Sequence, residues 1–154
     1  MQLTRRTDYA LRLLSLLAVD DDAPVSVTEA ADRLEISSGH LAKVAHSLVQ
    51  AGWVQSVRGR SGGLLLAEGA GDVRLSTVFE HLEPQALVEC FDPEGGGCVL
   101  TPACRLKGVL FEARAAFIDV LKDYTLRDLV TRRKAALLRI VGPADHRRAR
   151  SSGG

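Results

Sequence analysis

The sequence predicts a mostly α-helical fold that carries one small two-stranded hairpin. Three amphipathic segments come first, beginning near residues 4, 26 and 37. Two short apolar runs then flank a glycine-rich turn, and a long helical pattern with a regular apolar seam follows residue 104. This order of helices and hairpin is that of a winged helix-turn-helix, extended here by a long dimerisation helix.

The first two helices are predicted from their apolar faces and their caps. In the segment 4–19, four apolar residues recur at three- and four-residue spacing: Leu11, Leu14, Leu17 and Ala18. Turn-forming residues at 20–24 end this helix. Ser26 then caps the second helix, and Glu29 completes a capping-box pattern with it.

The third helix and the hairpin are bounded by serine and glycine. Ser37 or Ser38 caps the helix, and Gly52 follows its last turn. The residues expected to face inward are Leu41, Val44, Ala45 and Leu48. Strands are predicted at 53–57 and 64–66, with a basic, glycine-rich turn between them.

The second half alternates helix and irregular chain. Helices are predicted at 75–82, from Cys104 to about residue 123 with Thr101 as its cap, and from 125 to about 140. The long helix carries an apolar seam suited to packing against a second helix: Leu106, Leu110, Ala113, Phe117 and Val120. The chain thus divides into a winged helix-turn-helix domain, a cysteine-rich loop, a helical dimerisation region and a disordered tail: 1–82, 83–104, 105–141 and 142–154.

Composition argues against several classes of protein. The 154 residues carry a net charge of only +1, so any affinity for nucleic acid must come from the placement of charges. Three crowded cysteines favour a reducing cytoplasm over a secreted disulfide framework. The apolar run 13–19 is too short to cross a bilayer, so no membrane partner is expected. Without a nucleophile–base set or a phosphate loop, an enzyme is not expected either.

Basic and polar residues in three places are candidates for contact with double-stranded DNA. The second helix of a helix-turn-helix enters the major groove by its N-terminal end. The residues at that end are Ser37, Ser38, Gly39, His40 and Lys43. Arg58 and Arg60 lie on a slim hairpin tip that suits the minor groove, and Arg5 and Arg6 add backbone contacts. Each feature alone fits a solvated surface equally well, whereas their combination favours DNA binding.

Three cysteines are candidates for a metal site. Seven residues separate Cys90 from Cys98, and five separate Cys98 from Cys104. The closely spaced cysteine pairs or histidine partners of zinc sites are missing, and thiolates suit iron–sulfur clusters. In the first turn of the long helix, Cys104 would lie where the helix dipole stabilises negative charge. A carboxylate, histidine, water or small molecule would complete the ligand set, and incidental or zinc-binding cysteines are the alternatives.

Together these residues resemble the Rrf2 family of winged-helix transcription regulators, and within it the nitric-oxide-sensitive iron–sulfur repressors. The resemblance covers roughly residues 1–130. The segments that carry it are Met-Gln-Leu-Thr at 1–4, Thr-Asp-Tyr-Ala-Leu-Arg at 7–12, Val-Arg-Gly-Arg-Ser-Gly-Gly-Leu at 57–64, Leu-Glu-Pro at 82–84, Thr-Pro-Ala-Cys-Arg-Leu-Lys at 101–107 and Tyr-Thr-Leu-Arg-Asp-Leu at 124–129. Gly39 departs from the larger polar residue that relatives tend to carry, so the base preference is expected to differ.

The resemblance implies a homodimer with crossed long helices, which represses by binding operator DNA until nitric oxide acts on it. It also implies that the three cysteines hold an iron–sulfur cluster of 4Fe–4S or 2Fe–2S type, with Asp8 of the partner subunit as the fourth ligand. Without the resemblance, the sequence predicts that Asp8 is an acid that stabilises the first helix and lies within reach of Arg12. The alternatives are a sensor of iron or cluster supply, an iron–sulfur carrier and a structural zinc protein.

Overall fold

The computed structural model describes residues 3–20, 23–59, 61–83 and 98–142. Contacts divide the chain into two compact units, one formed by Arg74–Tyr124 and the other by the residues before and after it. The domain boundaries placed from sequence at residues 82, 104 and 141 stay predictions. Within the described ranges, no helix combines the length and the apolar character that a membrane span requires.

The first unit contains a helix-turn-helix followed by a hairpin. Its elements are α1 (Arg5–Val19), α2 (Val27–Leu34), α3 (Ser38–Gln50), β1 (Val54–Val57), β2 (Gly63–Leu66) and a short 3-10 helix (Ala70–Asp72). Two C-terminal helices complete it: α6 (Leu126–Thr131) and α7 (Lys134–Val141). The second unit holds α4 (Leu75–Leu82), a 3-10 turn (Thr101–Ala103) and α5 (Arg105–Lys122). The predicted helical fold with one two-stranded hairpin is confirmed.

Local signals set the ends of the early helices as the sequence predicts. Ser26 Oγ accepts a hydrogen bond from the Glu29 N–H at 3.1 Å, which caps α2. At the end of α3, Gly52 adopts a left-handed φ of 77°, and its N–H donates to the Val49 carbonyl. The Trp53 N–H donates to the Leu48 carbonyl, which completes a Schellman motif.

The core of the first unit lies where α1, α2 and α3 pack together. All four residues predicted to face inward from α3 are buried, as are three of the four from α1. The largest side chains removed from solvent include Leu13, Leu14, Leu17, Leu41 and Leu48. A second apolar cluster forms where Ala18 and Val19, at the end of α1, pack with Val130 of α6. The two C-terminal helices therefore belong to the same folded body as the helix-turn-helix.

The hairpin is joined to the helices at Val25, the residue two positions before α2. Leu64 of β2 exchanges two backbone hydrogen bonds with Val25, at 2.8 and 3.0 Å. A Cβ on Gly63 would lie 2.6 Å from the Val25 carbonyl carbon and oxygen, so only glycine permits this approach. The strands pair antiparallel, with Val54 opposite Leu66 and Val57 opposite Gly63. The hairpin is thereby anchored beside the start of α2.

Arg33 of α2 is a buried cation that joins three helices, and its side chain is only 9% exposed. Its Nη1 lies 2.5 Å from Asp20 Oδ2 at the end of α1 and 3.4 Å from Glu29 Oε1. Its Nε and Nη2 donate to the carbonyls of Val141 and Gly142, at the end of α7. The guanidinium thus ties α1, α2 and α7 together.

The start of the long helix corrects one prediction. Thr101 does not cap α5, because Thr101–Ala103 forms a separate 3-10 turn with Pro102 in its middle. Cys104 follows with extended angles (φ −80°, ψ 103°) and is itself the N-cap of α5, not a residue of its first turn. In the same unit, the Phe79 ring of α4 packs edge-on against Phe117 of α5, with centroids 4.9 Å apart.

The C-terminal region corrects another prediction, since the single helix expected from residue 125 to 140 is two helices. The predicted cap is present, because Thr125 and Asp128 form a capping box at the start of α6. However, Thr131 Oγ1 donates to the Arg127 carbonyl at 2.7 Å, and Arg133 leaves the helical region with φ −132°. Such side-chain bonding competes with the helical backbone ladder. The tail predicted to be disordered lies, after Gly142, outside the described residues.

We expect Arg33→Met to lower the free energy of unfolding by about 3–5 kcal/mol, because it leaves Asp20 buried without its counterion. Arg12→Met is the matched control, since Arg12 pairs with Asp8 at the surface, where an ion pair contributes only about 0.5 kcal/mol. Urea unfolding followed by circular dichroism measures both. Equal losses in the two variants would show that the buried pair has no special role.

Candidate DNA interface and cysteine site

The N-terminal end of α3 is open to solvent. Ser37, Ser38, Gly39 and His40 are all exposed, and Lys43 is exposed one turn later. Ser37 is the N-cap, but its hydroxyl makes no capping bond and lies instead 2.8 Å from His40 Nδ1. The first-turn N–H groups thus receive no capping bond from Ser37, which leaves them suited to hydrogen-bond acceptors of a ligand.

A cleft between α1 and α3 brings predicted DNA contacts from both helices together. Its volume is about 320 Å³, and its lining consists of Arg5, Arg6, Tyr9, His40, Lys43 and Val44. Arg6 Nη2 donates to Ser47 Oγ on α3 at 2.7 Å, which ties the start of α1 to α3. No acidic residue is found among the described residues that line the cleft, so its electrostatic character is cationic.

Tyr9 is a cleft residue that the sequence-based assignment of DNA contacts omits. Its ring centroid lies 6.5 Å from that of His40, with the two planes tilted by 43°. The sequence feature that could have identified Tyr9 is its spacing, because Tyr9 follows Arg5 by one helical turn and must share its face of α1. Helical spacing in α1 alone could not show that α3 lies against this face.

The tip of the hairpin has the tight geometry expected of a wing. Gly59 adopts a φ of 117°, and a Cβ on Gly62 would overlap the carbonyl of Val57. Glycine is therefore required at both positions. Arg58 is exposed beside them, whereas Arg60, the other predicted wing contact, lies outside the described residues.

Two of the three predicted cysteine ligands are described, and both are free thiols. Cys98 is exposed and Cys104 is half-buried, and the Thr101 N–H donates to the Cys98 carbonyl at 3.0 Å. Cys104 is the N-cap of α5 and therefore lies at the positive end of an 18-residue helix, and its side chain makes no capping hydrogen bond. Cys90 lies outside the described residues. Within the described ranges, no cluster of three potential metal ligands is preassembled.

Asp8 is engaged by Arg12, one of the two interactions expected of that arginine. Arg12 Nε donates to Asp8 Oδ1 at 3.1 Å, and Nη2 lies 2.8 Å from Oδ2. The pair lies at the edge of an apolar groove of about 340 Å³ formed by α1, α2 and α7. This groove also contains Leu34 and Leu137 and lies apart from the residues that line the cationic cleft.

An open helix-turn-helix, a wing and a cationic cleft define the class of winged-helix transcription regulators. Residues 3–132 match the family described as Rrf2, iron-dependent transcriptional regulator. The chain belongs to the Rrf2 family, and it is therefore a DNA-binding transcriptional regulator.

Named relatives agree with this assignment. The chain is 47% identical to the HTH-type transcriptional regulator NsrR of Shouchella clausii over 132 residues, which cover 84% of this chain and 89% of that protein. The regulator of the same name from Bacillus subtilis is 43% identical, with 84% and 90% covered. The relatives thus share both the winged helix and most of the remaining chain.

Solved structures show the same fold. T. potens IscR superposes with a TM-score of 0.69 at 25% identity, covering 88% of this chain and 90% of that one. CymR, the global cysteine regulator of B. subtilis, gives a TM-score of 0.67 at 26% identity, with 86% and 98% covered. The similarity extends beyond the winged helix into the C-terminal half of the chain.

Replacing a cleft cation should weaken binding to every duplex. We expect Lys43→Gln to make the negative slope of log affinity against log salt concentration shallower by about 1, because one phosphate contact is lost. Lys122→Gln is the control, since it removes the same charge from an exposed lysine of α5. Fluorescence anisotropy with a labelled duplex at four salt concentrations gives the slopes. An unchanged slope for Lys43→Gln would exclude Lys43 from phosphate contact.

Proposed function

We propose that the protein is a homodimeric repressor whose hold on operator DNA is controlled by nitric oxide through an iron–sulfur cluster. The observation that carries the DNA-binding part is the cationic cleft, which joins the start of α1 to the exposed end of α3. Nitric oxide as the effector follows from the resemblance to the nitric-oxide-sensitive repressors of the family, which the relatives named NsrR support.

The proposed contacts with DNA divide between grooves and backbone. The start of α3 enters the major groove, where the exposed residues are Ser37, Ser38, Gly39 and His40. Lys43, exposed one turn later, contacts a phosphate. Arg58 and Arg60 of the wing enter the minor groove, and Arg5 and Arg6 bind phosphates. In a dimer, the two recognition helices would contact half-sites about 34 Å apart.

The proposed dimer rests on the apolar seam of α5. Leu106 is 62% exposed and Val120 is 58% exposed, while Leu110 and Phe117 are half-buried. Apolar side chains spaced in this way on an 18-residue helix are typical of a helix that packs along a second one. A second copy of α5 would bury the seam and bring two DNA-binding units together.

The residues present fit an iron–sulfur cluster. Cys98 and Cys104 are accessible, unbridged thiols, and soft sulfur ligands suit iron. The start of α5 favours the negative charge that thiolates bring. Cys90, Cys98, Cys104 and Asp8 of the partner subunit would hold the cluster, of 4Fe–4S type in preference to 2Fe–2S. When bound, the cluster supplies iron that reacts with nitric oxide.

The role proposed for Asp8 requires a change of partner. In the described chain both of its oxygens are engaged by Arg12, so binding to metal would require the carboxylate to leave this ion pair. Arg12 lies at the surface, where an ion pair contributes little, and the exchange is therefore inexpensive. A carboxylate with a ready alternative partner suits a ligand that is released in response to a signal.

Protein purified without oxygen should contain iron and sulfide and absorb visible light. Nitric oxide should bleach this absorbance and weaken binding to a duplex selected from a random pool by at least about tenfold, or 1.4 kcal/mol. Iron chelation serves as the comparison, since a response to the chelator without one to nitric oxide would indicate a sensor of iron supply. Protein that is colourless and binds the duplex equally tightly with and without nitric oxide would refute the proposal.

Asp8→Ala should preserve the iron content, because three thiolates remain, but weaken duplex binding by the cluster-loaded protein by about tenfold. Asp119→Ala is the matched control, since Asp119 is an exposed acid paired with Lys122 on α5. Iron analysis and anisotropy during a nitric oxide titration provide the two readouts. Identical titrations for Asp8→Ala and the unmodified protein would remove Asp8 from the mechanism.

A further inference from the structure

We propose that the cleft between α1 and α3 binds one sugar–phosphate segment of the DNA backbone, with the Tyr9 ring as the surface on which a deoxyribose packs. The inference rests on the proposed DNA-binding function and adds a residue and a role to it. Because the contact is to the backbone, Tyr9 would contribute to affinity for any duplex and leave the choice of sequence unchanged.

The charge of the cleft selects an anionic partner. Arg5, Arg6 and Lys43 approach it from two helices, and no acid is found among the described lining residues. Arg6 uses one terminal nitrogen on Ser47, which holds the guanidinium in place and leaves its other N–H donors for phosphate oxygens. Three cations along one cleft suit successive phosphates of a single strand.

The apolar part of the cleft indicates which chemical group lies between the phosphates. Val44 is buried at its base, and the half-exposed Tyr9 ring lies next to His40. A free phosphate ion would leave this apolar surface in contact with water. A nucleic acid backbone alternates anionic phosphates with sugars that present C–H groups, and it therefore matches both halves of the lining.

Hydrogen bonds on both helices support the positions of the Tyr9 and His40 rings. His40 Nδ1 is engaged by Ser37 Oγ at 2.8 Å, which orients the imidazole towards the cleft that it lines. Tyr9 lies on α1, one turn from Arg5, and α1 is held to α3 by the bond from Arg6 to Ser47. Tyr9 and His40 thus form facing walls from two helices that are joined directly.

Chemical modification of the wild-type protein tests the contact between Tyr9 and DNA without any change in sequence. The chain has two tyrosines, Tyr9 in the cleft and Tyr124, half-exposed in the other unit, which serves as the internal control. N-acetylimidazole acetylates accessible tyrosines, and mass spectrometry of peptides measures each site. Adding a 26-base-pair duplex of mixed sequence should slow modification of Tyr9 severalfold and leave Tyr124 unchanged. Equal rates at Tyr9 with and without duplex would overturn the proposal.

Substitution of Tyr9 tests how much its ring contributes to the affinity for duplex DNA. Tyr9→Leu should weaken binding to the mixed duplex and to a duplex selected from a random pool by the same factor, about tenfold, or 1.4 kcal/mol. Its salt slope should stay unchanged, because no charge is removed. Tyr9→Phe keeps the ring and should bind within about twofold of the unmodified protein, which is about 0.4 kcal/mol. Tyr124→Leu is the control for loss of a tyrosine outside the cleft.

The outcomes separate this inference from the function on which it rests. If the unmodified protein binds neither duplex, the proposed DNA-binding function fails. If it binds both and Tyr9→Leu does so equally well, the inference alone fails. A loss confined to the selected duplex would show that Tyr9 reads bases and would overturn the backbone assignment.

Discussion

The buried guanidinium of Arg33 is the interaction on which the first unit depends. A cation that is only 9% exposed is tolerated where its donors face anions or carbonyls, because an unpaired buried charge is very costly. Its partners are Asp20 at the end of α1 and the carbonyls of Val141 and Gly142 at the end of α7. The requirement to pair this one charge therefore sets the relative positions of α1, α2 and α7.

The surface proposed to bind DNA follows from that arrangement. Once α2 is held against α1, the chain reverses at Glu35, which adopts a left-handed φ of 54°, and Ile36 is buried immediately after it. The next residues begin α3, whose apolar side completes the core while its polar N-terminal end stays in solvent. The bond from Arg6 to Ser47 then fixes the start of α1 beside this end. The cationic cleft is thus a consequence of helix packing.

The first helix links the two chemical functions proposed for the protein. Asp8, the proposed ligand of the partner's cluster, directly precedes Tyr9, which lines the cleft. Both belong to one continuous 15-residue helix, so a displacement of Asp8 would be expected to move Tyr9 with it. In the proposed mechanism, a change of partner at Asp8 therefore acts on the element that carries the start of the DNA-binding cleft.

The sequence by itself determined the helical fold, the hairpin, the caps at Ser26 and Gly52 and the inward face of α3, because local periodicity and capping chemistry decide these features. Local signals also predicted Arg5, Arg6 and Lys43 as DNA contacts, and these three cations line the cleft. They could not place Cys104 outside α5 or divide the last helix, since backbone angles there depend on neighbouring turns. The burial of Arg33 and the position of Tyr9 opposite His40 were decided only by tertiary structure, because both require helices distant in sequence to pack together.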